Sequence, residues 1–386
     1  MAPDNVESPQ AANLSDSVTV VSERGLLSRL GGSLGTALLG IVFFFGSFVV
    51  LYLNEGTVNE ATLAKDAAAI SAEKPDAGQV GKFVAASGLL VSQGQLGDAY
   101  LGAGNYLILV RKAEMFAWEE HKESRTEIQT GGSEKTITTY SYERAWTSSP
   151  DDSSSFHRSE GHRNPPMWVK SETYRVEQAS VGALALQMDK VSLPGTRPLA
   201  LANLKTQGGQ ISGDHLYLAP SRPEEPRVGD VRVSYAALTP GGNYTVLGKL
   251  ESVSSIGPAK LDDREMYRVF KGSKEDALKT LQTEYTLWIW GFRLLGFLLC
   301  WGGLLMMMSP LNTLLDIFPF LGNMGRGLTG FVTFPIALVL SGLTIVVAWI
   351  THSLIAMIAI GLVALVVGIK LLGAKKPAAL AAGKAA

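Results

Sequence analysis

The sequence predicts a multi-pass α-helical membrane protein of four spans, with a large β-rich α+β extracytoplasmic domain inserted between spans 1 and 2. The chain has 386 residues and a formal net charge of −1, yet residues 30–54, 294–315 and 327–369 contain no charged side chain. Residues 55–287 contain 26 basic and 30 acidic side chains, most of the total. An uncharged apolar run of about 20 residues matches the hydrocarbon core of a bilayer. The charge pattern therefore separates one polar domain from several membrane segments.

The apolar runs define the predicted spans. Residues 33–53 are interpreted as a retained signal anchor, because the run is longer than the apolar core of a cleavable signal peptide. Trp288 and Trp290 begin the second span, at the depth of an interfacial aromatic belt. Residues 327–369 could form a helix about twice as long as the bilayer core, so a turn is expected near 349–353. The predicted segments are a disordered cytoplasmic tail (1–32), span 1 (33–53), the polar domain (54–287), span 2 (288–308), a cytoplasmic link (309–328), span 3 (329–350), span 4 (353–371) and a cytoplasmic Ala/Lys tail (372–386).

Basic residues near the span ends predict the orientation. Arg24 and Arg29 precede span 1, Arg326 lies in the link, and Lys375 and Lys376 follow span 4. In a four-span chain these residues all fall on one side, and Lys and Arg concentrate on the cytoplasmic side of membrane proteins. Both termini are therefore predicted to be cytoplasmic. The polar domain is predicted to be periplasmic, in a bacterial inner membrane.

The polar domain is predicted to be rich in strands. A helix is expected over Asn59–Lys74, whose composition favours helix. A long hairpin is expected from Met115–Thr130 and Ser133–Trp146, because Gly131-Gly132 supplies the positive φ angles of a tight turn. Other aliphatic or β-branched runs between turn residues predict strands at Gly81–Val91, Asn105–Arg111, Arg227–Leu238 and Tyr244–Val253.

Helix signals flank the second span. Ser273 and Asp276 resemble a capping box, and apolar residues at spacings of three and four predict one unbroken helix over 274–308. A Ser-Pro pair then starts a short amphipathic helix, Pro310–Phe318, expected along the cytoplasmic interface. Arg293 lies inside span 2 and is expected to extend its side chain to the interface.

Few side chains of the polar domain form the pattern of a catalytic or metal site. His157, Glu160 and His162 are weak metal-ligand candidates, because their spacing matches no standard zinc pattern. A turn is the favoured interpretation of that segment. Glu119-Glu120-His121 is typical of a solvated strand face. The sequence contains no G-x-S-x-G, P-loop or dinucleotide motif, and Cys300, its one cysteine, lies in span 2. We therefore predict no enzymatic activity and no cofactor.

The composition also limits the partner classes. The polar domain is slightly acidic and has no basic stripe, which excludes a typical nucleic-acid binder. An oligomeric channel or transport component is one alternative, although Arg293 is the one charged side chain within a span and ion pathways usually need more. A periplasmic metal-dependent hydrolase is the other alternative. The small residues Gly302-Gly303 and Ser341-Gly342 suit close packing of helices, within one chain or between copies.

Six sequence blocks in order resemble the transmembrane protein 43 (LUMA) family. The resemblance spans about residues 25–372 and leaves out the two tails. An aromatic seam that ends in Arg293 belongs to the same resemblance. The blocks are KAEMFAW (112–118), TTYSYERAW (138–146), FHRSEGHRNP (156–165), RVGDVRVSY (227–235), LLDIFPFLG (314–322) and LTIVVAW (343–349).

The resemblance implies a non-enzymatic membrane scaffold. The animal member is a four-span protein of the endoplasmic reticulum and inner nuclear membrane, whose large domain faces the lumen and which self-associates and contacts lamins. Ala-rich tails and many domain substitutions suggest a bacterial member, so lamin contacts are not carried over. We expect the chain to organise membrane or envelope protein complexes, with itself, other membrane proteins and the bilayer as partners. Positions expected to serve shape or interaction are Trp118, Tyr140, Tyr142, Trp146, Gly161, His162, Asn164, Pro165, Gly229, Asp230, Arg293, Pro319 and Trp349.

Overall fold

The computed structural model describes residues 17–219, 221–261 and 264–353. Three of its helices are apolar and long enough to cross a membrane. The predicted fourth span, 353–371, and the C-terminal tail lie almost entirely outside the described residues. The helices are α1 (Leu26–Glu55), α2 (Glu60–Lys65), α3 (Lys274–Met307), α4 (Ser309–Leu315) and α5 (Pro319–His352), of which α1, α3 and α5 are the long ones.

Two large sheets and one ribbon contain the strands. In the first sheet β1, β5, β4, β12, β11 and β10 are neighbours in that order, with β6 beside β4 and β9 beside β12. The second has the order β17-β13-β14-β8-β7-β3-β2, and β13 also pairs with β3. β15 and β16 form the ribbon. The strands are β1 (Ser17–Arg24), β2 (Ala68–Ser71), β3 (Phe83–Ser92), β4 (Ile108–Ile128), β5 (Glu134–Thr147), β6 (Glu172–Arg175), β7 (Ala179–Val181), β8 (Leu184–Leu186), β9 (Arg197–Pro198), β10 (Gln210–Ser212), β11 (His215–Tyr217), β12 (Val231–Leu238), β13 (Asn243–Ser252), β14 (Ser255–Gly257), β15 (Ala259–Leu261), β16 (Arg264–Met266) and β17 (Arg268–Lys271).

The chain divides into two compact units. The β-rich unit contains residues 59–127 and 135–285 together with the N-terminal strand as far as Ser22. The helical unit contains residues 23–58, 128–134 and the described residues from Thr286 to Ser353. The end of the β4–β5 hairpin is therefore grouped with the helices and not with the strands that it connects.

The β-rich unit has a separate apolar core against each large sheet. Leu109, Met115 and Val233 are fully buried on the first sheet, where β4 pairs antiparallel with β12. Val84 and Val246 are fully buried on the second sheet, where β3 pairs antiparallel with β13. A third, smaller core joins α2, the second sheet and the first turns of α3.

Close backbone approach joins α1 to α3 in the helical unit. A Cβ atom on Gly40 would lie 2.7 Å from the carbonyl oxygen of Gly303, so only glycine fits there. A Cβ on Gly296 would lie 2.5 Å from the Leu51 side chain, which is fully buried. Small residues at such crossings let helix backbones pack closely in a bilayer.

Several local predictions are confirmed. Gly131 and Gly132 have φ angles of 91° and 79° at the hairpin turn. The capping box is present, because the Ser273 amide donates to Asp276 Oδ2 at 2.9 Å and the Asp276 amide donates to Ser273 Oγ at 3.4 Å. The helix that follows, Lys274–Met307, matches the predicted 274–308 within one residue.

Other predictions are wrong in the described residues. Residues 17–32 are ordered, as β1 and the start of α1, so the disordered tail cannot extend to residue 32. The predicted helix Asn59–Lys74 ends at Lys65, and Ala68–Ser71 pairs instead with β3 as a parallel strand. Two predicted strands, Asn105–Arg111 and Met115–Thr130, form the single strand β4. These errors arise because pairing with a distant strand overrides local propensity.

The link between spans 2 and 3 also differs from its prediction. The short helix is Ser309–Leu315, and α5 begins at Pro319, ten residues before the predicted start of span 3 at 329. The polar residues Thr313 and Asp316 are 7% and 1% exposed, whereas Leu311 is 53% exposed. An amphipathic helix was predicted, but its polar side faces the helical unit.

Candidate functional site

The β4–β5 hairpin brings four of the family blocks together at its base, residues 113–122 and 140–147. Alternation places Ala113, Met115 and Ala117 in the core of the first sheet. The other face of the base presents Phe116, Trp118 and Glu120 from β4, with Tyr140, Tyr142 and Trp146 from β5. The loop 151–167 covers this face through the contacts described below. We call it the aromatic face of the hairpin base.

His162 fills the centre of the aromatic face. Its ring stacks on Tyr142 with centroids 4.0 Å apart and meets the edge of Trp118 at 4.7 Å. Its Nδ1 atom lies 3.1 Å from the Arg158 carbonyl oxygen, and the residue is 3% exposed. The loop can turn back onto the sheet because Gly161, one residue before, has a φ angle of 83°. His162 therefore acts as a packing residue in this structure.

The Glu120 carboxylate ties the loop to both strands. Glu120 Oε2 accepts a hydrogen bond from the Tyr142 hydroxyl at 2.8 Å and one from the His157 amide at 2.5 Å. The Arg158 amide donates to the Tyr142 hydroxyl at 2.8 Å. Burial, followed by the hydrogen bond to Glu120, raises the pKa of Tyr142. The phenol therefore stays protonated and continues to donate to the carboxylate.

Asn164 connects the loop to β4 as a further strand would. The Trp118 amide donates to Asn164 Oδ1 at 2.8 Å, and Asn164 Nδ2 donates to the Trp118 carbonyl oxygen at 2.9 Å. Pro165 then packs on Gly229, whose φ angle is 97° and where a Cβ would lie 2.8 Å from Pro165 Cγ. Asn164 and Pro165 therefore attach the loop to the hairpin base, and Gly229 leaves the space that Pro165 occupies.

Asp230 closes the turn before β12. Its Oδ2 atom accepts hydrogen bonds from the Arg227 amide, at 2.6 Å, and from the Ser221 hydroxyl. The Phe116 amide donates to the Asp230 carbonyl oxygen at 2.8 Å. This turn therefore fixes the start of β12 against the hairpin base.

Trp146 forms the far edge of the aromatic face. Its ring centroid lies 5.3 Å from that of Phe116 and 5.6 Å from that of Tyr217. The Arg232 guanidinium carbon lies 4.4 Å from the same ring, within cation–π distance. Arg232 also donates to Glu114 Oε2, at 2.8 Å from Nε.

The weak metal-ligand candidates are not brought together. The His157 ring stacks on Tyr140, with centroids 4.3 Å apart, while His162 lies between Trp118 and Tyr142. Glu160 is exposed. These three weak candidates therefore do not form a ligand group among the described residues, and the segment forms a turn.

A different carboxylate–imidazole group lies on the opposite, outward face of the hairpin. His121 Nε2 lies 2.7 Å from Glu143 Oε1 and 4.0 Å from Glu119 Oε2. Their ligand atoms all lie within 4.8 Å of one another, so the geometry could accept a cation. His121 and Glu143 are exposed, as expected for a solvated strand face, while neighbouring Glu120 faces inward. Glu143 was not predicted from the sequence, because only the pairing of β5 with β4 brings it near His121.

A buried polar network lies beside the first sheet, and sequence reasoning did not identify it. Arg111 donates to Asp98 Oδ2 at 2.6 Å and to Glu172 Oε2 at 2.9 Å. The Tyr235 hydroxyl donates to Asp98 at 2.9 Å. Burial, followed by the hydrogen bond to Glu172, raises the pKa of Tyr174 to about 12. These groups satisfy one another, which is typical of a structural network.

Arg293 forms an ion pair inside the helical unit. Its Nε and Nη2 atoms lie 2.7 and 2.8 Å from the two carboxylate oxygens of Glu55, which is 5% exposed at its side chain. Its guanidinium carbon lies 4.9 Å from the Trp290 ring. The bidentate pair joins the end of α1 to α3. The charge of Arg293 is therefore stabilised by a carboxylate within the protein as well as by any contact with solvent.

The hairpin end, residues 128–134, lies at the other end of α1. Arg29 donates to Glu134 at 3.0 Å, to the Gly132 carbonyl oxygen at 2.6 Å and to Asp316 at 2.6 Å. Arg326 lies 2.6 Å from the second oxygen of Asp316. The Gly131 amide also donates to the Ile317 carbonyl oxygen at 3.3 Å. Sequence reasoning missed this cluster, whose members lie up to 297 residues apart.

This contact disagrees with the predicted topology. The four-span prediction puts Arg29 and the link 309–328 on one side of the membrane and all of residues 54–287 on the other. In the structure Glu134 and Gly132 contact Arg29 directly. The contact is compatible with a cytoplasmic Arg29 only if the hairpin end, residues 128–134, also lies on the cytoplasmic side.

The last two family positions lie on α5. Pro319 is the first residue of that helix, where proline needs no amide hydrogen bond. Trp349 lies near the other end and is 61% exposed. α5 ends at His352, close to the predicted turn at residues 349–353.

Comparison with known proteins identifies the family. The family model described as transmembrane protein 43 matches residues 115–354, more than half of the chain. Transmembrane protein 43 of Rattus norvegicus is 30% identical over 374 residues, covering 90% of this chain and 92% of that protein. The Homo sapiens protein is 29% identical over 360 residues, and the Drosophila melanogaster homolog is 25% identical over 343 residues. These two cover 87% and 82% of this chain, and 89% and 88% of their own lengths. No solved structure matches the chain. Because the family model matches more than half of the chain, including the long apolar helices α3 and α5, the chain belongs to the transmembrane protein 43 family of membrane proteins.

Proposed function

We propose that this chain is a non-enzymatic membrane scaffold that self-associates and organises membrane or envelope protein complexes through its polar domain. The observation that carries the proposal is the use made of the family blocks. Their reactive side chains are engaged in shaping the hairpin base, as with His162 between two rings and Asp230 in the turn before β12. A rigid hairpin built this way suits the display of a binding surface.

Glycines on the outside of α1 support self-association. Gly31 and Gly35 are one helical turn apart, and a Cβ on either would meet nothing within 4 Å. Gly40 on the same helix, by contrast, already packs against α3. Small residues four apart on an open helix surface favour contact with a second helix in a bilayer. The partners that we propose are further copies of this chain, other membrane proteins and the lipid bilayer.

Self-association is tested with two differently tagged copies of the full chain, co-purified in mild detergent. We expect the copies to co-purify, and Gly31→Leu with Gly35→Leu to reduce the yield at least about fivefold, because leucine keeps the helices apart. Leu34→Ala is the matched control, since Leu34 lies between the glycines and is 59% exposed. A chain of monomer mass that does not co-purify would overturn this part of the proposal.

We further propose a bacterial inner membrane location, with both termini in the cytoplasm and residues 54–287 in the periplasm. Reporter fusions at Thr57 and after the C-terminus test this orientation. A periplasmic signal at Thr57 and a cytoplasmic signal at the C-terminus are expected. The reverse at either position contradicts it.

The hairpin end requires a separate test, because its contact with Arg29 opposes this topology. Cysteine labelling suits the chain, since its one native cysteine, Cys300, is buried. Labelling of Ser133→Cys from the same side as Arg24→Cys would show that the contact forms in the membrane and would overturn the periplasmic placement of residues 128–134. Labelling from the side of Thr57→Cys would mean that the ion pair of Arg29 with Glu134 does not form in the membrane.

Flux and metal measurements distinguish the alternatives. Liposomes that contain the full chain should release small ions no faster than empty liposomes if it is a scaffold. An oligomeric pore would release them faster. Stoichiometric metal in the purified chain that is lost in His157→Ala would favour the hydrolase.

A further inference from the structure

A cleft in the β-rich unit lies where β9, β12, β13 and β17 end together. Its volume is about 520 Å³, within the range of small-molecule sites. The loop 239–243 between β12 and β13 forms one side of it. Gly241 and Gly242 in that loop have φ angles of 93° and 81°. Because glycine has no side chain, these two residues contribute only backbone atoms to the wall of the cleft.

Two cations line the cleft, and no carboxylate does. They are Arg197 on β9 and Lys271 at the end of β17. Among the residues that the structure describes, neither side chain has an ion pair or a hydrogen bond. Neighbouring arginines differ, since Arg232 pairs with Glu114 and Arg268 with Glu284. Two uncompensated cations on one concave surface create a positive potential that attracts anions.

The remaining walls are apolar, with one buried hydroxyl-bearing side chain. Tyr244 is 6% exposed and Leu238 5% exposed, and both line the cleft beside Pro194 and Pro198. The Tyr244 hydroxyl has no hydrogen bond to another described residue. The hydroxyl is therefore available to donate a hydrogen bond to a ligand in the cleft.

We propose that this cleft binds a small amphiphilic anion, whose carboxylate or phosphate lies between Arg197 and Lys271 and whose short apolar part contacts the prolines and Leu238. The guanidinium and ammonium groups supply charge-assisted hydrogen bonds to the head group. Tyr244 donates a further hydrogen bond. The apolar walls then distinguish the ligand from a bare inorganic ion.

The experiment measures binding to the full chain in neutral phosphatidylcholine nanodiscs by saturation-transfer NMR and calorimetry. The probes are hexyl phosphate and hexanoate, with hexanol testing the charge and inorganic phosphate testing the apolar part. We expect at least one anionic amphiphile to bind at least about tenfold more tightly than hexanol or inorganic phosphate. Comparison of the two anions identifies the head group.

Variants connect the binding to the cleft. Arg197→Ala with Lys271→Ala should weaken binding about tenfold or more, and Tyr244→Phe should weaken it about threefold, from loss of charged and neutral hydrogen bonds. Lys249→Ala is the control, because Lys249 is exposed on β13 and does not line the cleft. The proposal is overturned if neither anion binds, if hexanol or inorganic phosphate binds as tightly, or if the double variant binds like the Lys249→Ala control.

Discussion

The base and the end of the same hairpin are held in different ways. At the base, aromatic rings and a covering loop surround Trp118 and Tyr142. At the end, Arg29 holds the backbone of Gly132 and the carboxylate of Glu134. The base is stabilised mainly by packing and short-range hydrogen bonds, whereas the end depends on ion pairs with the helical unit. One strand pair can therefore belong to two units with different physical requirements.

The middle of the hairpin has neither the covering loop of the base nor the ion pairs of the end, although β1 pairs with β5 beside it. Ser124 faces Thr138 with hydroxyl oxygens 3.1 Å apart, and Thr126 faces Thr136 at 3.3 Å. These side chains are exposed on strands without an apolar face. Cross-strand hydroxyl pairs stabilise a sheet by less than about 1 kcal/mol each. The end contact must therefore provide its own stability, and the variants below test each region in turn.

The largest effect is expected from Asp316→Ala at the end contact. Asp316 is 1% exposed and lies between Arg29 and Arg326. Its removal leaves the nearly buried Arg29 guanidinium with the Glu134 carboxylate alone in place of two carboxylates, which should cost about 3 kcal/mol in the free energy of unfolding. Thermal unfolding and pulse proteolysis of the full chain in detergent measure the loss.

Glu127→Ala is the control for this change. Glu127 pairs with Arg125 on the same hairpin, but both side chains are exposed. Its removal should cost less than about 1 kcal/mol. Equal stability of Asp316→Ala and Glu127→Ala would show that the ion pairs at the end do not contribute, and the comparison between base and end would fail.

The difference between local and long-range contacts explains which features could be predicted from the sequence. Strand alternation and Gly131-Gly132 indicate the hairpin because those signals are local. The partner of Arg293 was missed because Glu55 lies 238 residues away. The contact of Arg29 with Asp316 spans 287 residues and was missed for the same reason.

The candidate site was predicted only in part. The resemblance selected residues that converge on the hairpin base, including His162, Asn164 and Gly229. It did not indicate that His162 packs between rings, or that Glu120 accepts hydrogen bonds from both Tyr142 and the His157 amide. Strand pairing and loop folding create those contacts, and neither is encoded in the spacing of one block.

The second largest effect is expected from Gly229→Ala at the base. Its φ angle of 97° disfavours alanine, and the new Cβ would lie 2.8 Å from Pro165 Cγ. Strain and displacement of the loop together should cost about 2–3 kcal/mol in the free energy of unfolding. Gly161→Ala is the matched control, since its φ angle is 83° but its Cβ would meet nothing within 4 Å. Equal losses, measured by thermal unfolding, would mean that the loop does not pack on Gly229.

A smaller effect is expected from Tyr142→Phe. The change removes the hydroxyl that donates to Glu120 and accepts from the Arg158 amide, but keeps the ring stacked on His162. Loss of these buried hydrogen bonds should cost about 1–2 kcal/mol in the free energy of unfolding. Tyr140→Phe is the control, because its ring stacks on His157 and no hydrogen bond of its hydroxyl is formed with the described residues. If both changes lower the unfolding temperature equally, the hydroxyl of Tyr142 is not what ties the loop to the strands.

The smallest effect concerns Glu114 at the base, whose carboxylate forms ion pairs with Lys112 and Arg232. Burial opposes ionisation of Glu114, but hydrogen bonds from Lys112 and Arg232 outweigh it, and its pKa is lowered from 4.5. A group whose pKa is lower in the folded state stabilises that state above its unfolded pKa. This stabilisation, a fraction of about 1 kcal/mol for a partly exposed pair, should be lost as the pH falls below about 4.5.

Glu114→Gln tests this acid dependence, because glutamine keeps the shape and removes the titrating group. The unfolding temperature of the variant should fall less steeply than that of the unchanged chain between about pH 5 and pH 3, since the variant has no proton to take up at this position. Identical slopes for the unchanged chain and Glu114→Gln would mean that charge contributes nothing at the base. The base and the end would then differ in kind, one held by packing alone and the other by ion pairs, and not only in proportion.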